Sequence, residues 1–466
     1  MRPPKVFTGL AGLLALVLAV SLAAQAPRSQ SGAAAQSPKL AFQEFKLKNG
    51  LRVILSEDHS APTYSICVTY NVGSRNERPG RTGFAHLFEH MMFQGSENVG
   101  KGEHFILVLN NGGNMNGTTN TDRTNYFQTL PANQLDLGLF LEADRMRSLV
   151  INQANLDNQR NAVQEERRLG IDNQPYGRSF ELIDATAYDN FAYKHSTIGS
   201  MEDLNAATVQ DVAEFFRVYY APNNAVLTLV GDFNAQDALA RIRKHFEGIP
   251  AQSAPPEPDM AEPEQTGERR ATVDDGFARL ARVDIVYKIP QGNTPDWYAL
   301  SVTGQILGSG QSSRLYQRLV RGQEVATSAS SGAQSRRGPS LFQVNVMLRP
   351  GRTPAEAEQL VYEEIEKLKN EPVADWELEK VRMTIRRFRV QGLSSTLGRA
   401  IQLGQLAVYF NDPNLINTSE EKYAGVTKED IQRVARTFLK DMNRTVITTV
   451  PKPRPVQPGQ TNGGDR

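Results

Sequence analysis

Two segments, one near the end of each half of the chain, repeat a single pattern, and that repeat limits the fold more than any other feature. Thr208-Val-Gln-Asp211 opens a helix predicted to end near Tyr219, followed by Asn224 and a strand over 225–230. Thr427-Lys-Glu-Asp430 opens another, predicted to end near Phe438, followed by Asn443 and a strand over 445–450. In both, a threonine N-cap with an acidic residue three positions on is a helix-start signal. Their placement argues for a duplicated α+β unit. Length agrees, since 466 residues exceed what one core ordinarily supports. The segment 251–270 carries Pro255, Pro256, Pro258 and Pro263 among Glu, Ser and Gln, and reads as an interdomain linker. It separates a first domain, 41–250, from a homologous second domain, 271–450.

The ends of the chain read differently. Residues 1–26 have the form of a signal peptide: Arg2 and Lys5, an apolar run from Leu10 to Leu22, then Ala24-Gln25-Ala26. An uncleaved anchor is the other reading, but the apolar run is short for a bilayer span of ~20 residues. Export to the periplasm or the exterior is therefore expected, with no stable membrane span after cleavage. A mobile spacer over 27–40 and a proline-rich, disordered tail over 451–466 complete the outline. Cys67 is the only cysteine, so no intramolecular disulfide can form, and any metal must be held by histidines and carboxylates. Lys+Arg number 52 against 51 for Asp+Glu, a balance that gives no sign of a nucleic-acid partner.

Within the first domain, Arg52-Val-Ile-Leu55 and the run from Tyr64 to Tyr70 are strand-like. Thr82 to Phe93 reads as a helix that is apolar nearly all round, hence buried. Residues 110–117 form an Asn/Gly turn cluster leading into a threonine-rich strand segment over 118–129. Helices are predicted over 135–149 and 156–169.

The chemistry lies in Gly83-Phe-Ala-His86-Leu-Phe-Glu89-His90. Helical positions i and i+4 share a face, so both imidazoles can reach one ion at the ~2.0–2.1 Å that zinc–nitrogen bonds require. Glu89 projects from the same face, where a carboxylate can take a proton from a water that zinc has acidified to a pKa of about 7. The bland alternative is a buried helix with two satisfied core histidines. Against it, an unpaired Glu89 on so apolar a helix would cost a few kcal/mol. A catalytic zinc usually has three protein ligands. Glu165 and Glu166 are both candidates for the third, and spacing alone does not choose between them.

His86-Leu-Phe-Glu89-His90 resembles the inverzincin motif. Together with Asn114–Tyr126, Gln159–Arg168, Tyr220–Asp232 and Gly308–Leu319, it resembles the pitrilysin/insulinase family of zinc metallopeptidases, in the short form of the mitochondrial and bacterial processing peptidases. That resemblance implies two homologous α+β domains, each a mainly antiparallel sheet packed with helices, facing across a chamber. It implies one Zn2+ per chain on His86, His90 and Glu166, with Glu89 as catalytic base. Gln159 stands where some members carry a second glutamate, so that extra carboxylate is not expected here. It further implies a peptide substrate added as a strand against Asn116, Gly117 and Thr118, reading backbone more than side chains. Active single-chain relatives pair an arginine with a tyrosine in the second half. Here the arginine aligns with Arg321, but the tyrosine position is Thr327. The resulting expectation is a zinc endopeptidase acting on short or unfolded polypeptides, forming the catalytic subunit of a heterodimer whose second member supplies the arginine–tyrosine pair. The alternative is a non-catalytic structural or peptide-binding subunit of the same fold.

Overall fold

The structure is a computed structural model that describes residues 39–452. The expected signal peptide over 1–26, most of the expected spacer over 27–40 and most of the expected tail over 451–466 lie outside the described residues. Two sheets organise the rest. The first has the order β1-β2-β6-β3-β5-β4, from β1 (Gln43–Lys46), β2 (Arg52–Glu57), β3 (Thr63–Tyr70), β4 (Asn114–Thr119), β5 (Thr124–Pro131) and β6 (Ala225–Gly231). The second has the order β7-β11-β8-β10-β9, from β7 (Arg269–Asp275), β8 (Arg282–Ile289), β9 (Ala326–Ala333), β10 (Ser340–Leu348) and β11 (Arg444–Pro451). The helices that matter below are α1 (Phe84–Met91), α2 (Gln153–Arg167), α3 (Gly177–Ala187) and α4 (Val209–Tyr219) in the first half. In the second they are α5 (Pro295–Gly308), α6 (Thr396–Phe410) and α7 (Lys428–Phe438).

The sequence repeat is a structural repeat. β6 lies between a parallel β2 and an antiparallel β3, and β11 lies between a parallel β7 and an antiparallel β8. All other pairings are antiparallel. Thr208 and Thr427 cap α4 and α7 in the same way, each in a reciprocal capping box with Asp211 or Asp430. The two asparagines also match. Asn224 Nδ2 donates to Tyr219 O at 2.8 Å, and Asn443 Nδ2 donates to Phe438 O at 2.8 Å. Each amide also reaches the end of the neighbouring strand, at Asn71 O and Lys288 O respectively. One side chain thus closes the last turn of a helix and sets where the next strand begins.

The halves exchange helices. α6, from the second half, covers the outer face of the first sheet, where Ala400, Leu403 and Ala407 pack on Ile54, Cys67, Val226 and Val230. The approach is close: a Cβ on Gly404 would lie 2.6 Å from Thr69 Oγ1, and Thr228 Oγ1 donates to Ala400 O at 2.8 Å. α3, from the first half, covers the second sheet, where Ile183 and Ala187 meet Val286, Leu341 and Ile447. Cys67 is buried as a free thiol.

Two local expectations change. The strand expected over 118–129 is a hairpin: β4 begins at Asn114, and the chain turns between Asn120 and Arg123. Asn120 Oδ1 accepts from the backbone N–H of Asp122 (2.8 Å) and of Arg123 (3.0 Å), a turn signal hidden in a threonine-rich run. The turn is also gripped by the other half. Asp122 accepts from the Arg337 backbone N–H at 3.1 Å and Tyr409 Oη on α6 donates to Asn120 Oδ1 at 3.1 Å, while Tyr193 Oη, from the first half itself, donates to Asp122 at 2.9 Å. The proline-rich connection has no helix or strand before Arg269, and it is pinned. Glu262 accepts from the backbone N–H groups of Asp189 and Asn190 and pairs with Lys288 Nζ at 2.5 Å.

Because Leu403 fills the interface between α6 and the first sheet, Leu403→Ala is expected to destabilise the whole chain by about 2–5 kcal/mol. Urea denaturation should show one shifted transition. Two transitions, with the first half unaffected, would contradict the exchange.

Candidate metal centre

α1 is fixed before any metal is considered. The chain enters it through Gly83 at φ 84°, where a Cβ would sit 2.5 Å from Ile198 O, so only glycine fits. The first turn leaves N–H groups without helical partners. The Glu77 carboxylate accepts two of these, from Gly83 (2.9 Å) and Ala85 (2.8 Å), and His195 Nε2 approaches it at 2.9 Å. Negative charge at a helix N-terminus is also favoured by the helix dipole. Phe84, Ala85, Leu87, Phe88 and Met91 are buried, with Phe88 against Tyr220 at a ring separation of 4.2 Å. What is left is one face bearing His86, Glu89 and His90.

That face meets Glu166 on α2. His86 Nε2 lies 3.6 Å from Glu166 Oε1, and His90 Nε2 lies 3.3 Å from Glu166 Oε2. The three donor atoms all fall within 4.8 Å of one another. Donors held ~2.0–2.1 Å from a tetrahedral zinc stand about 3.3–3.4 Å apart, so the two histidine–glutamate contacts are near that separation and the widest pair must draw in for all three to hold one ion. The two imidazoles differ in their tendency to hold a proton. Burial pulls His90 down, but the neighbouring Glu166 carboxylate outweighs it and raises His90 above its ordinary value. Burial and the neighbouring His90 hold His86 down at about 4, so it is neutral near pH 7, as a ligand must be. The hydrogen bond from His90 holds the Glu166 carboxyl below its ordinary value. Glu165 turns away and pairs with Arg168 at 3.0 Å.

Gln159, also on α2, takes part without a charge. His90 Nδ1 donates to its Oε1 at 3.3 Å, and its own amide nitrogen donates to Asn158 Oδ1 at 2.7 Å. The second bond fixes which end of the amide faces the imidazole, and the first leaves Nε2 as the coordinating nitrogen.

Glu89 lies beneath β4, which pairs only with β5 and so forms the sheet edge. A Cβ on Gly117 would lie 3.1 Å from Glu89 Cγ, a tight contact that glycine at this position avoids. Thr119 Oγ1 donates to Glu89 Oε2 at 2.6 Å. Burial raises the Glu89 carboxyl above its ordinary value, with the Thr119 bond acting against it. Asn116 and Thr118 are exposed on the opposite face of the strand, and Asn116 Oδ1 accepts the Gly117 N–H at 2.8 Å.

Thr119 and Gln159 were absent from the expected set of site residues. Strand alternation from Gly117 offers the one signal for Thr119, because residues two apart share a face. Arg321 is the residue expected to hold a substrate carbonyl. It is exposed on the wide turn Tyr316–Gly322 of the second half, and among the described residues no hydrogen bond or ion pair joins it to His86, Glu89, His90 or Glu166. Thr327 lies on β9, where its hydroxyl donates to Met347 O at 3.2 Å.

Comparison with known proteins agrees with this geometry. Residues 52–200 match the family model described as insulinase (peptidase family M16), and residues 206–385 match the one described as peptidase M16 inactive domain. The zinc protease PqqE of Helicobacter pylori is 32% identical over 451 residues, which is 95% of this chain and 98% of that protein. The mitochondrial-processing peptidase subunit beta of Bos taurus is 24% identical over 263 residues, 56% of this chain and 53% of that one. The crystal structure of a protease from Helicobacter pylori matches with a TM-score of 0.85 at 31% identity, covering 89% of this chain and all of that one. The periplasmic protease PqqL from Escherichia coli shares the fold at a TM-score of 0.73 and 19% identity, with 90% of this chain matching 48% of PqqL. The chain belongs to the insulinase family of peptidases, family M16.

Proposed function

We propose that this chain is a zinc-dependent endopeptidase that cleaves short or unfolded polypeptides. The observation that carries the reading is the convergence of three donor atoms within 4.8 Å beside a buried carboxylate, under an open sheet edge. His86, His90 and Glu166 would hold the ion. A zinc ion there supplies Lewis-acid polarisation of a carbonyl and acidifies a water to a pKa of about 7. The residues do the rest. An extended peptide pairs with β4 at Asn116, Gly117 and Thr118, so backbone decides binding and side-chain sequence can vary. Glu89 takes the water's proton and returns it to the leaving amine, and its burial-raised pKa suits both steps.

The proposal extends to assembly and location. With Thr327 in place of the tyrosine, the arginine–tyrosine pair is incomplete within this chain. A second family member supplying an arginine–tyrosine pair across a shared chamber would complete the site. The name of the Bos taurus relative, a subunit of a processing peptidase, is in keeping with that arrangement. The signal-like residues 1–26 and the periplasmic description of PqqL support export to the periplasm or beyond. No helix among the described residues is long and apolar enough to cross a membrane.

Glu89→Gln is expected to retain one equivalent of zinc and to lose turnover of a quenched peptide library by about 10²–10⁴-fold. Full activity in that variant would remove Glu89 as the base. A non-catalytic subunit would bind zinc and show no turnover, alone or with a partner. Turnover by the chain alone equal to that with its genomic neighbour would end the heterodimer proposal.

His86→Ala and His90→Ala should lose zinc and activity together. Gln159→Leu removes the acceptor for His90 Nδ1 and should weaken zinc affinity by about 10–100-fold in a chelator competition. Unchanged affinity would show that His90 is oriented without it.

A further inference from the structure

The Glu89 carboxylate has two oxygens in unlike surroundings. Oε2 accepts the Thr119 hydroxyl at 2.6 Å, a length typical of a charge-assisted bond, while Oε1 accepts no hydrogen bond among the described residues. The direction of the Thr119 proton follows from its neighbours. Thr124 Oγ1 is 3.2 Å from Thr119 Oγ1, but its own proton goes to Val72 O at 3.0 Å. Thr119 can therefore donate either to the neutral Thr124 oxygen at 3.2 Å or to the Glu89 carboxylate at 2.6 Å. The charged, nearer acceptor wins.

Movement of the carboxylate is limited on two further counts. Threonine is β-branched, so its χ1 is stiff and the hydroxyl cannot drift far from where β4 puts it. On the other side, the Gly117 backbone crosses so closely that a Cβ there would lie 3.2 Å from Oε1 and 3.1 Å from Cγ. Gly117 and Thr119 belong to the edge strand proposed to take the peptide.

From this we infer that Thr119 is a positioning residue for Glu89: it anchors Oε2 to the substrate-bearing strand and leaves Oε1 as the oxygen that exchanges the proton. The inference rests on the proposed role of Glu89 as base. It ties two functions usually supplied by separate elements. The strand that sets the register of the peptide also sets the angle of the base, so a shift of β4 relative to α1 misplaces both together.

The test uses the zinc-loaded chain, with its partner subunit if turnover requires one, and compares Thr119→Val with Thr119→Ser. Valine keeps the shape and removes the donor, whereas serine keeps the donor. Thr119→Val should lower kcat by about 10–100-fold with KM and zinc content unchanged, and Thr119→Ser should restore most of the loss. Thr119→Ala serves in place of valine if that variant does not fold. A second readout uses metal-free protein in a double-mutant cycle of melting temperatures. Thr119→Val should lower Tm more beside the native Glu89 than in a Glu89→Ala background, because the stronger of the bonds lost is to that carboxylate. Wild-type kcat in Thr119→Val, a loss confined to KM, equal losses in valine and serine, or additive Tm changes would each overturn the inference. Retained turnover in Glu89→Gln would instead remove the base on which it rests.

Discussion

Glu77 accepts two backbone hydrogen bonds from the first turn of α1, and the placement of every other group at the site depends on that contact. α1 has only eight residues, too few to be stable alone, so its position is set by what holds its ends and its buried side. The carboxylate fixes the start, the positive φ of Gly83 fixes the angle of entry, and Phe88 against Tyr220 fixes the rotation about the axis. With rotation fixed, the remaining face has one direction available to it. His86 and His90 then point at α2, and Glu89 points at β4. The donor atoms face one another because a carboxylate with no metal role has already aimed them.

The second half of the chain contributes no member of the donor cluster, yet it is part of the site's construction. The β4–β5 turn is gripped by Arg337 and Tyr409, both from the second half, and α6 lies across the first sheet. The edge strand is consequently tied at one end to the opposite half and along its length to Glu89. The region matched by the model described as an inactive domain includes Arg337, which helps to hold the edge strand beside the candidate metal centre.

Much of this was legible in the sequence where the signal is local. The two capping boxes and their following asparagines announced the duplication, because N-cap chemistry is settled within four residues. The spacing of His86, Glu89 and His90 announced the metal face for the same reason. Glu166 needed the family resemblance, since spacing left Glu165 equally open. The exchange of α3 and α6 left no local trace: an apolar helix face such as Ala400, Leu403 and Ala407 declares that it is buried, not against which half. The turn at Asn120 was masked by threonines that suit a strand equally well. Gln159 drew notice only as the lack of a carboxylate, whereas its amide oxygen does the orienting.

The exchange of helices also orders events in time. The strands of the first sheet are complete once Gly231 has been made, but the outer face formed by Ile54, Cys67, Val226 and Val230 has no cover until residues 396–410 follow. A nascent chain emerging from the ribosome therefore carries an open apolar sheet face through most of the synthesis of its second half. Neither half can be finished first. α3 is made early and waits for a sheet that does not yet exist, while the first sheet waits for a helix made near the end. The exchange thus withholds the last apolar contacts of both halves until the chain is nearly whole.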